Sequence, residues 1–250
     1  MNIHSFCVMK NRPTTDLVQY RAIFPCLELG DSTMHFTERI AIVDGLRSPF
    51  VKSWSTLNGI DPVALSTHVT RELLFSVGLD IEKVDQIVWG TVVSVPSSPN
   101  IAREVALNLG LYNTPGFTIS RACASGFQSI ASAAESLWMG HASIAVAGGV
   151  DVTSNAPVPH KKEVIDKLRA LPKASTGSKL STIAGLRPSD FFPVPPAITE
   201  RFTGKTMGEH AEDMAKHFGI SREEQEQFAI ESHRKAHKAT SEGWIAKQIS

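Results

Sequence analysis

Three cysteines and nine histidines are the side chains of this 250-residue sequence best suited to act as nucleophiles, bases or metal ligands, and their positions separate their prospects. Cys123 directly follows the apolar run Phe117 to Ser120 and leads into a stretch of very small residues, Ala122 to Ala134. A thiol between a strand and a helix lies where the unpaired N–H groups of the first helical turn favour negative charge, a setting that suits a nucleophile. A cysteine of this kind can equally be an inert small hydrophobe, and position alone leaves both readings open. Cys7 and Cys26 precede the first clear structural pattern. His233 and His237 stand four apart on one helical face, a spacing able to bind metal, but no third ligand falls at a recognisable spacing, so a solvated face is the reading taken and no metal site is expected. His217 reads as structural or surface.

Nucleotide chemistry finds no support. Gly204-Lys205-Thr206 has the end of a phosphate-binding loop, but the glycine required five residues earlier is Thr199 and no strand precedes it. No Gly-x-Gly-x-x-Gly fingerprint occurs.

The elements that must carry Cys123 follow from alternation between short β-branched runs and longer helical periods, the mark of a layered α/β domain. Strands are predicted at Ile40 to Val43, Ile87 to Val93, Phe117 to Ser120 and Ile144 to Ala147, apolar enough to be covered on both faces. Asp61 before Pro62 starts a helix that Gly78 ends, with Val69, Leu73, Leu74 and Val77 as its buried stripe. Asn100 caps a shorter helix closing at Gly110. The helix after Cys123 runs to Gly140, and its small side chains predict a buried central helix in close contact with its neighbours. Beyond Gly149 prolines break the pattern, and residues 160–187 gather Lys161, Lys162, Lys167 and Arg169 with few acids, a patch able to meet phosphate or simply to face solvent. Met207 to Phe218 forms a helix ending at Gly219, and Ser221 with Glu224 makes a capping box for the last one.

Composition sets the bounds. Twenty-five basic residues balance twenty-five acidic ones, so no global field draws the chain to nucleic acid or anionic membrane. No run approaches the roughly 18 apolar residues that a membrane helix needs. The odd, scattered cysteines fit a reducing compartment, and a cytoplasmic location is expected. Residues 1–37 lack the character of a secretory or transit segment and read as a disordered extension, with Met34 a possible second translation start.

The run Arg121-Ala122-Cys123-Ala124-Ser125-Gly126-Phe127 resembles the active-cysteine signature of the thiolase family. Other segments resemble that family in the same order: Arg39 to Phe50, Asn100 to Arg103, Gly148 to Ser154 and Met207 to Glu212, where His210 replaces the usual threonine. The resemblance covers about residues 39 to 250, and Asp190 to Ala197 with the basic loop before it looks most like the thiolase subunit of fatty-acid oxidation complexes.

It implies a layered α/β thiolase fold: a mixed sheet with covering helices over residues 38–152, lacking its last strand, and an incomplete loop domain over 153–250, with the C-terminal half absent. It also implies thiolytic cleavage of 3-oxoacyl-CoA, with Cys123 as the acyl-carrying nucleophile and its backbone N–H as an oxyanion donor. Met207 and His210 would line the thioester channel. Coenzyme A enters as co-substrate, with no permanently bound cofactor. Expected partners are a second copy through the N-terminal domain and a hydratase/dehydrogenase subunit. The family's activating histidine and second cysteine stand in Gly-His-Pro and Cys-x-Gly motifs, neither of which occurs in this sequence, so the chain alone is expected to be inactive. A ketoacyl-synthase-like condensing enzyme and a non-catalytic subunit that only binds partners are the alternatives. A sheet without its return strand would leave an open edge and poor solubility.

Overall fold

A computed structural model describes residues 2–10, 39–173, 186–187, 192–194 and 198–250. The chain divides into two compact units, one formed by residues 1–156 with 240–250 and the other by residues 157–239.

The first unit is built on a five-stranded mixed sheet. Its strands are β1 (Asn2–Lys10), β2 (Ile40–Arg47), β3 (Gln86–Gly90), β4 (Gly116–Ile119) and β5 (Ile144–Asp151), arranged in space as β2-β1-β5-β3-β4. β3 runs parallel to both β4 and β5, whereas β1 is antiparallel to β2 and β5. All four strands read from the sequence are present, with β2 and β5 extending four residues further than the apolar runs suggested and β3 ending at Gly90, three residues short of Val93.

The extension reading fails for residues 2–10, which form a strand in the interior of the sheet; residues 11–38 lie outside the described residues. As β1, residues 2–10 lie between β2 and β5. The physical reason is that an extended segment of any origin can satisfy both rows of strand donors and acceptors there.

Helices cover both faces. On one, α1 (Pro62–Ser76) and α2 (Ile101–Asn108) pack Val69, Leu73, Leu74, Ile101 and Val105 against Ile87, Trp89, Val146 and Val150. The caps fall where their residue types place them: the Asp61 carboxylate accepts from Ala64 N–H at 2.8 Å, and the Asn100 side-chain oxygen accepts from Arg103 N–H at 3.2 Å. On the other face α3 (Ser125–Trp138) lays Ala133 and Leu137 on Val88, Ala145 and Ala147. Successive residues of β3 and β5 therefore feed opposite cores, which explains their unbroken apolar sequence.

The expected burial of α3 holds on one side only. Ser125, Ser129, Ala133 and Leu137 form its buried stripe, while Phe127 on the opposite face is 83% exposed. Small residues bring the helix close to the sheet, and nothing among the described residues covers its outer face.

In the second unit lie α4 (Lys162–Ala170), α5 (Met207–Phe218) and α6 (Arg222–Ser241). Thr206 and Glu209 form a reciprocal capping box at the start of α5, which ends at Gly219 in the left-handed region, φ 65°. At α6 the Ser221–Glu224 pair does the same, Glu224 accepting from Ser221 N–H at 2.8 Å and Ser221 Oγ from Glu224 N–H at 3.2 Å. Neither α5 nor α6 buries a residue.

Candidate active site

Cys123 sits in the turn that joins β4 to α3, two residues before the first helical residue, and its thiol is unbridged and exposed. The turn is tight. Ala124 N–H donates to Arg121 O at 3.1 Å and Ser125 N–H to Ala122 O at 3.1 Å, while Ala122 is held at φ 47°. A left-handed alanine is disfavoured by contact between its Cβ and the following carbonyl, at roughly 1–2 kcal/mol. The local bonds that hold it there project Cys123 outward beside it.

Ser125 is the staple of this turn. Its buried hydroxyl accepts from Arg121 N–H at 2.8 Å and donates to Ala122 O at 2.7 Å, closing the turn over its own first helical residue. Arg121 extends in the other direction, its guanidinium donating to Gln128 Oε1 at 2.6 Å one helical turn further on. Ala124, at the N-cap, supplies no side-chain bond, so the first turn of α3 keeps N–H groups for another acceptor.

What lies beneath the turn explains its position. A Cβ added to Gly90 at the end of β3 would stand 2.7 Å from Ser125 O, and one added to Gly149 of β5 would stand 2.7 Å from Gly90 O. Two glycines in adjacent strands thus let the mouth of α3 settle onto the ends of the sheet. Gly149 belongs to a segment singled out from sequence, whereas Gly90 was missed; a glycine closing an otherwise bulky strand, Ile87 to Trp89, was the available signal.

The remaining motif residues are scaffold. Asp151 Oδ1 accepts from Val92 N–H at 2.9 Å, Val93 N–H at 2.7 Å and Thr91 Oγ1 at 3.2 Å, fixing the loop that leaves β3. Asn100 donates to Gly116 O at 2.9 Å and accepts from Thr118 Oγ1 at 3.2 Å, which ties α2 to the strand leading into Cys123. Arg103 donates to the carbonyls of Leu111, Tyr112 and Thr114, holding the chain between α2 and β4. At the start of the match, Arg47 is buried and its guanidinium stacks 4.2 Å from the Phe50 ring centroid.

Met207 and His210 belong to the second unit, both on the first turn and a half of α5. Met207 is 59% exposed, and His210 Nε2 meets Thr203 Oγ1 at 2.9 Å, a local bond across the turn that enters the helix. Arg121, Cys123, Ser125 and Gly90 are gathered in the first unit. His233 and His237 are exposed on α6, and no cluster of three or more potential ligands occurs among the described residues. Lys162 is engaged with Asp166 at 2.6 Å, so part of the basic segment is internally paired; residues 174–185 lie outside the described residues. No helix among the described residues is long and apolar enough to cross a membrane.

The thiolase N-terminal domain model matches residues 40–250. This chain belongs to the thiolase family. It is 42% identical over 214 residues to a 3-ketoacyl-CoA thiolase of Pectobacterium atrosepticum, a match that covers 85% of this chain and 49% of the relative, and 43% identical over the same length to a 3-ketoacyl-CoA thiolase of Yersinia pestis. The chain thus spans about half the length of these thiolases. Among solved structures it is similar to the Bacillus anthracis acetyl-CoA acetyltransferase, with TM-score 0.66, 29% identity, and coverage of 82% of this chain and 48% of that one. A thiolase from Ascaris suum in complex with coenzyme A has the same TM-score at 25% identity, with 82% and 50% covered. These thiolases place the layered α/β fold of the chain in the family that the Cys123 signature resembles.

Proposed function

We propose that the chain is the N-terminal portion of a 3-ketoacyl-CoA thiolase and that Cys123 is its acyl-carrying nucleophile. The observation that carries this reading is an exposed thiol on a strained strand-to-helix turn, in a chain whose relatives are named for that reaction. In the proposed chemistry the Cys123 sulfur attacks the 3-oxo carbon of a 3-oxoacyl-CoA. The bond between the second and third carbons then breaks, its electron pair passing to the departing acetyl-CoA enolate, which takes up a proton. Coenzyme A finally displaces the shortened acyl group from sulfur. The Cys123 N–H, at the mouth of α3, would donate to the oxyanion that forms in each addition.

Coenzyme A and acyl-CoA as ligands are supported by the coenzyme A complex of the Ascaris thiolase. Residues 38–152 would be the N-terminal domain and residues 153–250 the start of the loop domain, with Met207 and His210 contacting the thioester. A role in fatty-acid β-oxidation, assembly as a homodimer and with a hydratase/dehydrogenase subunit, and a cytoplasmic location complete the proposal; the scattered cysteines favour that compartment.

Incubating the chain with acetyl-CoA, together with a separately produced C-terminal half of the Pectobacterium thiolase, tests the site. An acetyl adduct on Cys123, located by peptide mass spectrometry and absent from Cys123→Ala, is the expected result. An adduct confined to another residue, or thiolysis of acetoacetyl-CoA that survives Cys123→Ala, overturns the assignment. The chain without its complement is expected to give no thiolysis, because a base for the thiol and an acid for the enolate are both needed.

A further inference from the structure

The family match starts at residue 40, yet the strand between β2 and β5 is residues 2–10. The strand in the sheet's interior therefore comes from outside the part of the chain shared with the family. β1 is antiparallel to both neighbours, so β2 and β5 run parallel to each other with one strand-width between them, about 4.8 Å to either side. Residues 40–250 by themselves supply no strand for that gap among the described residues: β2 pairs with no strand except β1, and the flank of β5 away from β3 pairs with β1 alone.

We infer that the gap between β2 and β5 is a binding site for an extended segment, and that Asn2–Lys10 fills it from the same chain, substituting a strand of its own for one that residues 40–250 lack. The register supports this on both flanks. Asn2 to Met9 lie opposite Asp151 to Ile144 without interruption, and His4 to Lys10 lie opposite Arg47 to Ile40 with a single irregularity between Cys7 and Val8. Main-chain bonding gives such a slot its affinity with little demand on sequence, which is how a strand unrelated to the family can occupy it. The gap is also costly to leave empty. With β1 in place Ala145, Val146 and Ala147 of β5 are fully buried, Val146 in the core under α1 and α2 and the two alanines under α3, and an empty gap would leave the donors and acceptors on that flank without protein partners.

The same chain is the occupant because of where the strand ends. Lys10 lies opposite Ile40, so the connection through residues 11–39 starts and finishes on one rung of the ladder. Closing a connection of that kind costs free energy that grows only with the logarithm of its length. Its effective concentration, on the order of mM, exceeds that of a second copy in dilute solution.

Cys7 lies opposite Asp44, which gives a direct test. In a Cys26→Ser, Cys123→Ser background, Asp44→Cys treated with oxidised glutathione at low micromolar concentration is expected to form a disulfide between Cys7 and the introduced thiol within one chain. Directly opposed residues of antiparallel strands have the Cα separation a disulfide requires. The off-sheet control Asp80→Cys should form none with Cys7. A folded Asp44→Cys chain that stays reduced overturns the inference, and a disulfide found only between two chains overturns the same-chain occupant in favour of an exchanged strand. Should Asp44→Cys not fold, hydrogen exchange on the unaltered chain decides: amides of residues 2–10 should exchange within about tenfold of those of Ala145 to Val150. Exchange at the rate of an unstructured peptide would show the slot unoccupied. Neither readout depends on catalysis, so both stand apart from the proposed thiolase chemistry.

Discussion

Ala122 carries the conformational cost of presenting Cys123, and that cost can be measured. Its φ of 47° suits glycine better than alanine, so Ala122→Gly removes roughly 1–2 kcal/mol of native strain while giving back about 0.4–1 kcal/mol through a freer unfolded chain. The expected outcome is a net gain of up to about 1.6 kcal/mol in urea unfolding. Ala122→Val should lose about 1–3 kcal/mol, because a β-branched side chain tolerates that region still less well. If both substitutions left stability unchanged, the turn would not be strained as described. Ser125→Ala provides a second check at this scale, since it strips a buried acceptor from Arg121 N–H and a donor from Ala122 O and should cost about 1–3 kcal/mol. The nucleophile position was legible in the sequence because small residues flank a cysteine at the end of an apolar run. Its left-handed neighbour was not, because alanine carries no signal for a positive φ; the bonds that Ala124 N–H and Ser125 make across the turn enforce it.

At the level of elements, strands β2 to β5, the N-terminal caps of α1, α2 and α6 and the Gly219 end of α5 were readable because each rests on local chemistry: β-branched runs, Asp–Pro, Asn, Ser three residues before Glu, and a closing glycine. β1 was not, since Asn-Ile-His-Ser-Phe-Cys-Val-Met-Lys has no clean alternation and one of its two partner strands, β5, lies more than a hundred residues away. The composition of α3 reports that the helix can be approached closely, and within this chain the sheet makes that approach on one side. Two substitutions probe how the elements are joined beneath Cys123. Gly90→Ala forces a methyl group to 2.7 Å from Ser125 O, a backbone atom that cannot swing aside, and should cost about 1–3 kcal/mol. Asp151→Ala leaves the amides of Val92 and Val93 without their acceptor and should release the loop after β3, seen as faster hydrogen exchange at residues 92 and 93 with the exchange of β3 itself unchanged. Equal acceleration throughout β3 would mean that Asp151 supports the whole sheet and not this loop alone.

The whole molecule combines two units with different sources of stability. The first has a continuous apolar core on each face of its sheet, whereas α5 and α6 of the second bury no residue and rely on capping boxes and exposed ion pairs. Glu209 is held below its ordinary range chiefly by the Thr206 N–H it accepts from, Glu224 by that of Ser221, Glu200 by those of Phe202 and Thr203, and Asp213 by the Lys205 ammonium. A carboxyl group whose folded pKa is depressed stabilises fully above its unfolded pKa, and that contribution is lost as pH falls through the folded value. All four groups act in the same direction, so acid should unravel α5 and α6 first, starting below about pH 5 where ordinary carboxyl groups begin to protonate. Trp89, fully buried in the sheet, reports the other unit. Titrating from pH 7 to pH 2 is therefore expected to lower the far-ultraviolet helical signal before the short-wavelength emission of Trp89 shifts red, with Trp54→Phe, Trp138→Phe and Trp244→Phe introduced so that Trp89 is the one indole left. Coincident transitions would show instead that the second unit draws its stability from the core of the first, and that its capping carboxylates contribute too little to set when it unfolds.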